Sequence, residues 1–235
     1  MVLAMVFAPS CAGCDAPGAD LCADCRQQLE PAPWVPPPPG VDAIGSLFAY
    51  DGVGRRVVLG LKYHNRRGEV AVLADGLAEV AAGLLLSVGA DHGRPVVTWA
   101  PTTSARRRRR GFDQARRLAV ALGPRLGLPV CRLLGRGPSP PQTGSGRAQR
   151  WERPVFVGAG AAAPPSVVLV DDVCTSGATL AAAAHALRNC GTENVVAVTL
   201  AQTSLNRARQ PVERNLKPAG HRPDQLADGS APRGV

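Results

Sequence analysis

VVLVDDVCTSGAT, running from Val167 to Thr179, is the stretch that decides the fold. Four consecutive apolar residues, Val167–Val170, suit a strand buried on both faces, as strands in parallel sheets are. Two carboxylates, Asp171 and Asp172, interrupt the run. Small and hydroxylated residues from Thr175 to Thr179 then lead into an Ala- and Leu-rich segment that Gly191 closes, and a second apolar run follows at Val195–Ala201. The pattern predicts a strand over 166–170, a turn over 171–179, a helix over 180–190 and a strand over 195–201. That is a βαβ unit. The fold class is therefore α/β, with a central, mainly parallel sheet flanked by helices.

The turn has chemistry of its own. It leaves the carboxyl end of a core strand, where open α/β sheets bind ligands. The first N–H groups of a helix have no intrahelical partner, and they point outward together with the positive end of the helix dipole. With Cys174, Thr175, Ser176, Gly177, Ala178 and Thr179 around them, an anion can approach closely, so the segment reads as a phosphate cradle. Asp171 and Asp172 repel one another and call for strong donors. A ribose 5-phosphate answers both halves, offering two adjacent hydroxyls beside its phosphate. The plainer alternative is a Ser- or Thr-capped helix after an acidic turn.

Upstream, the periodicity predicts a strand over 44–50, helices over 52–62 and 70–86, and a short buried strand between Pro95 and Pro101. Cys131 and Cys190 read as buried small residues, and 128–134 as a further strand. Residues 104–111 read as a basic loop holding five consecutive arginines, Arg106–Arg110, followed by a helix over 114–122. Guanidinium groups bind pyrophosphate oxygens bidentately. One or two of these arginines, taken as Arg106 and Arg110, are expected on the acidic rim, the others facing solvent or nucleic acid. Gly135–Pro154 lacks periodicity and reads as a mobile loop, with Arg147 and Arg150 able to reach a ligand. Lys62 reads as a solvated lysine.

At the other end, Cys11, Cys14, Cys22 and Cys25 make two C-x2-C pairs separated by seven residues. Such pairs bring four thiolates to one structural zinc. A proline-rich segment, Pro31–Pro39, follows as a stiff spacer expected to transmit few contacts. The layout is thus a four-cysteine unit over 1–30, a linker over 31–40, a main domain over 41–204 and a disordered basic tail over 205–235.

Hydrophobic residues make up 45% of the 235, but aromatics only 4%, so Ala, Val and Leu must fill the core. The formal charge of +9 points to an anionic partner, whether a polyphosphate ligand, a nucleic acid or a membrane surface. No segment has the layout of a signal peptide or of an uninterrupted membrane span, so a cytoplasmic protein without membrane insertion is expected. No serine-hydrolase or Walker-type motif is present.

The strand–Asp–Asp–turn–helix segment resembles the phosphoribosyl pyrophosphate-binding motif of type I phosphoribosyltransferases. The order of the cysteine pairs, Leu59-Gly-Leu-Lys62-Tyr63, Ala100-Pro101, Arg110-Gly-Phe-Asp-Gln114 and the acidic motif resembles ComF-like proteins of that superfamily, over about 7–203. The resemblance implies the type I fold and a phosphoribosyl pyrophosphate or related nucleotide ligand. Asp171 and Asp172 would hold the ribose hydroxyls, 174–179 the 5-phosphate, and Mg2+ would bridge ribose and pyrophosphate. It implies either phosphoribosyl transfer to an unknown acceptor, or a non-catalytic sensor linked to DNA uptake that contacts single-stranded DNA and a competence helicase. The expected Arg-Asn segment of the mobile loop is replaced here by Trp151-Glu-Arg153-Pro154.

Overall fold

A computed structural model of the chain describes residues 9–63, 67–89, 93–137, 154–159 and 163–204. In chain order the elements are α1 (Ala23–Gln27), β1 (Ala43–Ala49), α2 (Gly52–Tyr63), α3 (Arg67–Ser87), β2 (Val96–Trp99) and α4 (Ser104–Arg110). They continue with α5 (Gln114–Leu126), β3 (Leu134–Arg136), β4 (Phe156–Gly158), β5 (Ser166–Cys174), α6 (Ala178–Arg188) and β6 (Asn194–Gln202).

Four strands form a fully parallel sheet in the order β1-β6-β5-β2. The two Val-rich runs of the βαβ unit occupy its centre, and Val167–Val170 and Val195–Val198 are all at most 1% exposed. One face packs on α2, α3 and α5 through Val168, Val170, Val198, Leu77 and Leu118. The other packs on α6 and the small antiparallel β3–β4 pair through Val167, Leu169, Leu187 and Phe156. Helix α3 contains an 18-residue stretch, Val70–Ser87, long and apolar enough to cross a membrane. Its Leu73, Ala74, Leu77 and Ala81 are buried here, and Asp75 and Glu79 lie on its exposed side.

Several elements differ from their sequence reading. Residues 104–110 form a helix, not a loop. Thr103 caps it by accepting from the Arg106 amide at 3.2 Å, and Gly111 ends it in the left-handed region at φ 80°. Arginine is a good helix former, and four of them fill the last turn, where the dipole favours cations. β5 does not stop at Val170 but pairs with the equally long β6 as far as Cys174, so both aspartates lie within the strand. The turn shrinks to Thr175–Gly177. The strand expected over 128–134 reduces to one bridge, Val97 to Val130, and the start of β3. Cys131 is exposed and Cys190 half-buried rather than both being core residues. Of the expected mobile loop, Gly135 and Arg136 belong to β3, whereas 138–153 lie outside the described residues, as does the tail from 205.

The proline segment is not a free spacer either. Pro31 bridges Phe48 of β1, the Ala49 amide donates to the Glu30 carbonyl, and Pro38 is buried. Cys11, Ala12, Leu21 and Cys25 share one core with Val53 and Val57 of α2. Arg56 Nε donates to the Gly13 carbonyl at 2.6 Å.

Candidate functional site

The acidic pair sits on the last residues of the central strand. Consecutive strand residues point to opposite faces. Asp172 Oδ2 pairs with Lys62 Nζ of α2 at 3.1 Å, with both side chains mostly buried. Lys62 is thus an ion-pair partner at the site, not the solvated lysine expected. The Asp172 amide donates to Asp171 Oδ1 at 2.8 Å. Burial, and then the neighbouring Asp172 charge, push the Asp171 carboxyl up to about 8, against the smaller pull of the Asp172 amide and Lys62. This is what two adjacent carboxylates short of donors should do.

Arg136 of β3 is the nearby cation for Asp171. Its Nε donates to the Pro101 carbonyl at 2.9 Å, and its guanidinium lies 4.7 Å from the centre of the Phe156 ring. Burial, followed by Arg106, holds its pKa below the usual arginine value, while Asp171 and Asp113 act to raise it. Asp113 has structural work as well. It caps α5 by accepting from the Arg116 amide, and it accepts from the Thr102 amide at 3.0 Å, tying the end of the β2 loop to α5.

Beyond the aspartates the chain opens to solvent at Thr175, Ser176 and Ala178. Gly177 precedes α6 with φ 73°, a backbone state that glycine adopts freely, and supplies no side-chain cap. Only a 3.4 Å contact from the Ala178 amide to Ser176 Oγ reaches the first turn from the loop's side chains. The loop is anchored from below, where Thr203 donates to the Cys174 and Thr175 carbonyls. The Cys174 thiol packs in the core with Val41 and Leu180. Burial pushes it up to about 11, so the helix terminus does not activate it.

Arg107, Arg108 and Arg109 are exposed, as is Arg106, whose charge is nevertheless felt by Arg136. Arg110 turns inward, and its Nη1 donates to Gln114 Oε1 at 3.3 Å. Arg147 and Arg150 lie outside the described residues.

A central parallel sheet carries Asp-Asp near the carboxyl end of its β5 strand, which leads into a small-residue loop and a helix without a side-chain cap. Residues 141–218, which include β4, β5, α6 and β6, match the phosphoribosyl transferase domain family. The matched segment, about a third of the chain, is similar to that domain family. A hypoxanthine phosphoribosyltransferase from Staphylococcus aureus aligns in structure with 15% identity and a TM-score of 0.36, covering 61% of this chain and 70% of that one. No curated protein matches the sequence.

Around the acidic pair, the sequence pointed to the aspartates and the loop but not to Lys62, Arg136 or Asp113. Lys62 ends an amphipathic helix and looks like any surface lysine. Arg136 was hidden in a Gly- and Pro-rich stretch. The only visible hint was Arg110-Gly-Phe-Asp-Gln114, whose Asp113 and Gln114 proved to be structured and close to the site.

The four N-terminal cysteines come together. Their sulfurs lie within 4.8 Å of one another, and Cys14 and Cys22 are 3.8 Å apart. A tetrahedron of thiolates around zinc has S–S edges of about 3.8 Å. Amides of Gly13 and Cys22 donate to Cys11 Sγ, and that of Cys25 to Cys22 Sγ. Burial raises the Cys11 thiol, but the amides around it outweigh this and bring it down to about 6. Burial and the neighbouring sulfurs raise Cys25, as expected where thiolates crowd together without a cation. The cluster is compatible with structural zinc, and a closed four-cysteine set leaves no open position for catalysis.

Proposed function

We propose that this chain binds phosphoribosyl pyrophosphate with magnesium at the end of β5 and transfers the phosphoribosyl group to an acceptor. The observation that carries this is the half-buried, donor-poor Asp171–Asp172 pair near the end of β5, two residues before the open Thr175–Gly177 loop and α6. The loop and first helical amides would take the 5-phosphate, and the carboxylates would accept from the ribose diol. Two adjacent carboxylates, one of them ion-paired to Lys62, are a donor set that suits a hard divalent cation. When bound, magnesium would neutralise the pyrophosphate and favour its departure from C1. Arg136 and the inward Arg110 supply fixed positive charge near the leaving group. The protein's contribution is orientation and charge stabilisation of an oxocarbenium-like transition state, with no protein nucleophile.

The test is ligand-dependent stability. Phosphoribosyl pyrophosphate with magnesium, at a hundredfold excess over its dissociation constant, should add about 2.7 kcal/mol. The melting temperature should rise by roughly 5–10 °C. Ribose 5-phosphate should give a smaller rise. No shift with either ligand, in a zinc-replete and cooperatively folding sample, removes the reading. Release of pyrophosphate across a panel of bases and amines then tests turnover.

The exposed face of α4 favours a second reading, a nucleotide sensor or single-stranded DNA-associated protein of the ComF-like kind. Its binding should weaken steeply with salt, and replacing Arg107, Arg108 and Arg109 by Ala should flatten that dependence. Binding indifferent to both would remove it.

A further inference from the structure

Gln114 is 5% exposed and opens α5 beside the Asp171–Asp172 site. Arg110 Nη1 donates to its Oε1, which fixes which way the amide faces, because a flipped amide would set two donors against each other. Its Nε2 then finds no hydrogen-bond partner among the described residues. A buried donor left this way is costly, so such groups have an explanation.

The amide lines a narrow cleft that it shares with Asp172, Phe112, Leu61, Leu118 and Val58. The space inside is about 10 Å3, room for roughly one water-sized oxygen. One polar end of the cleft is an acceptor, Asp172, whose Oδ2 is held by Lys62. The other is a donor, Gln114 Nε2. Apolar walls lie between them, and Arg117 also borders the cleft, its guanidinium laid over the Phe112 ring at 3.7 Å. A group that fits must donate to the carboxylate and accept from the amide through a single oxygen. A hydroxyl does both; a carbonyl or a phosphate oxygen only accepts, and an ammonium only donates.

We propose that Gln114 is a specificity-determining residue that reads one hydroxyl of the ribose diol, donating to its oxygen while that hydroxyl donates to Asp172. Arg110 is the positioning residue that orients the amide. The inference rests on the ribose-binding reading of the site, and it adds a discrimination between ribose and deoxyribose ligands that the carboxylates alone would make less sharply.

The experiment is a binding cycle on the full, zinc-loaded chain, with affinities measured calorimetrically in magnesium. The ligands are ribose 5-phosphate, 2-deoxyribose 5-phosphate and 3-deoxyribose 5-phosphate. The proteins are the parent, Gln114→Met and Gln114→Glu. Methionine keeps the volume without polar atoms, and glutamate keeps the acceptor for Arg110 but removes the donor, so either variant serves if the other fails to fold. In the parent, loss of one of the two hydroxyls should weaken binding about tenfold or more. In both variants ribose 5-phosphate should bind about three- to tenfold more weakly, and the penalty for that same missing hydroxyl should shrink by a similar factor. An unchanged penalty in the variants overturns the role of Gln114 while leaving the ligand site in place. A parent that binds all three sugars equally also overturns it. A parent that binds none of them removes the ribose reading itself.

Discussion

At the residue scale, Asp171 is a half-buried carboxyl whose surroundings disfavour its charged form. Its carboxyl is raised to about 8, chiefly by burial and then by Asp172. In the unfolded chain it titrates near 4, about its ordinary value. The neutral form is therefore favoured by folding, and its stabilising contribution is complete below pH about 4 and is lost as pH rises toward 8. Asp171→Asn keeps the neutral shape at every pH. The variant should melt above the parent at pH 8, and this advantage should shrink as pH falls to 5, read by thermal melts across that range. Above pH 8, where the parent carboxyl is ionised, the same change should weaken ribose 5-phosphate, since the hydroxyls prefer a charged acceptor. Lys62→Met removes the cation from Asp172 and one of the influences that restrain Asp171. It should cost about 1–3 kcal/mol in urea unfolding at neutral pH.

At the element scale, the loop before α6 is held by its backbone more than by its side chains. Gly177 sits at φ 73°, and a Cβ placed on it would lie 2.7 Å from Pro38 Cγ. A left-handed non-glycine residue alone costs roughly 1–2 kcal/mol. Gly177→Val should thus destabilise the chain by more than that in chemical denaturation, because it also pushes on the proline segment. The loop before α6 and the proline segment are mechanically linked at this point. Thr175→Val is the complementary change. Thr175 is exposed, so the variant should keep its stability within about 0.5 kcal/mol, as surface substitutions do, while losing affinity for ribose 5-phosphate. Comparing the two variants separates loop geometry from loop chemistry.

At the scale of the whole molecule, the four-cysteine unit and the sheet domain are joined by packing. Cys11 and Cys25 are buried in the same core as Val57 and Leu61 of α2, and Gly68 at the start of α3 lies against Asp20. Arg188 of α6 clamps the far end of the proline segment, bonding the Gly40 carbonyl and both oxygens of Asp42 at 2.8–2.9 Å. α2 carries both Arg56, which grips the cysteine unit, and Lys62, which meets Asp172. Stripping the metal with a chelator, or Cys22→Ser, should therefore lower the melting temperature of the entire chain in one transition, as followed by circular dichroism of the sheet. Two separate transitions, with the sheet domain's unchanged, would show that this packing carries no energy. Adding zinc back should restore the parent transition in the chelated sample but not in the Cys22→Ser variant.

The βαβ unit was legible from Val167 to Ala201 because buried parallel strands are short continuous apolar runs, and the glycine and hydroxyl residues between them have few other uses. The cysteine pairs were legible for a similar reason, since metal ligands recur at fixed spacing. These features depend on local sequence alone. The arginine run was misread as a loop because like charges suggest solvent, whereas Thr103 and Gly111 provide the caps that let it form a helix. The length of β5 depended on β6 continuing beside it to Gln202, which no property of Asp171 or Asp172 announces. Lys62, Arg136 and Gln114 come from three elements far apart in the chain, and only their convergence gives each its partner or leaves its polar atom bare. Sequence determined which chemistry is available; tertiary packing decided which charges meet it, because desolvation and pairing are properties of a place in the fold rather than of a residue.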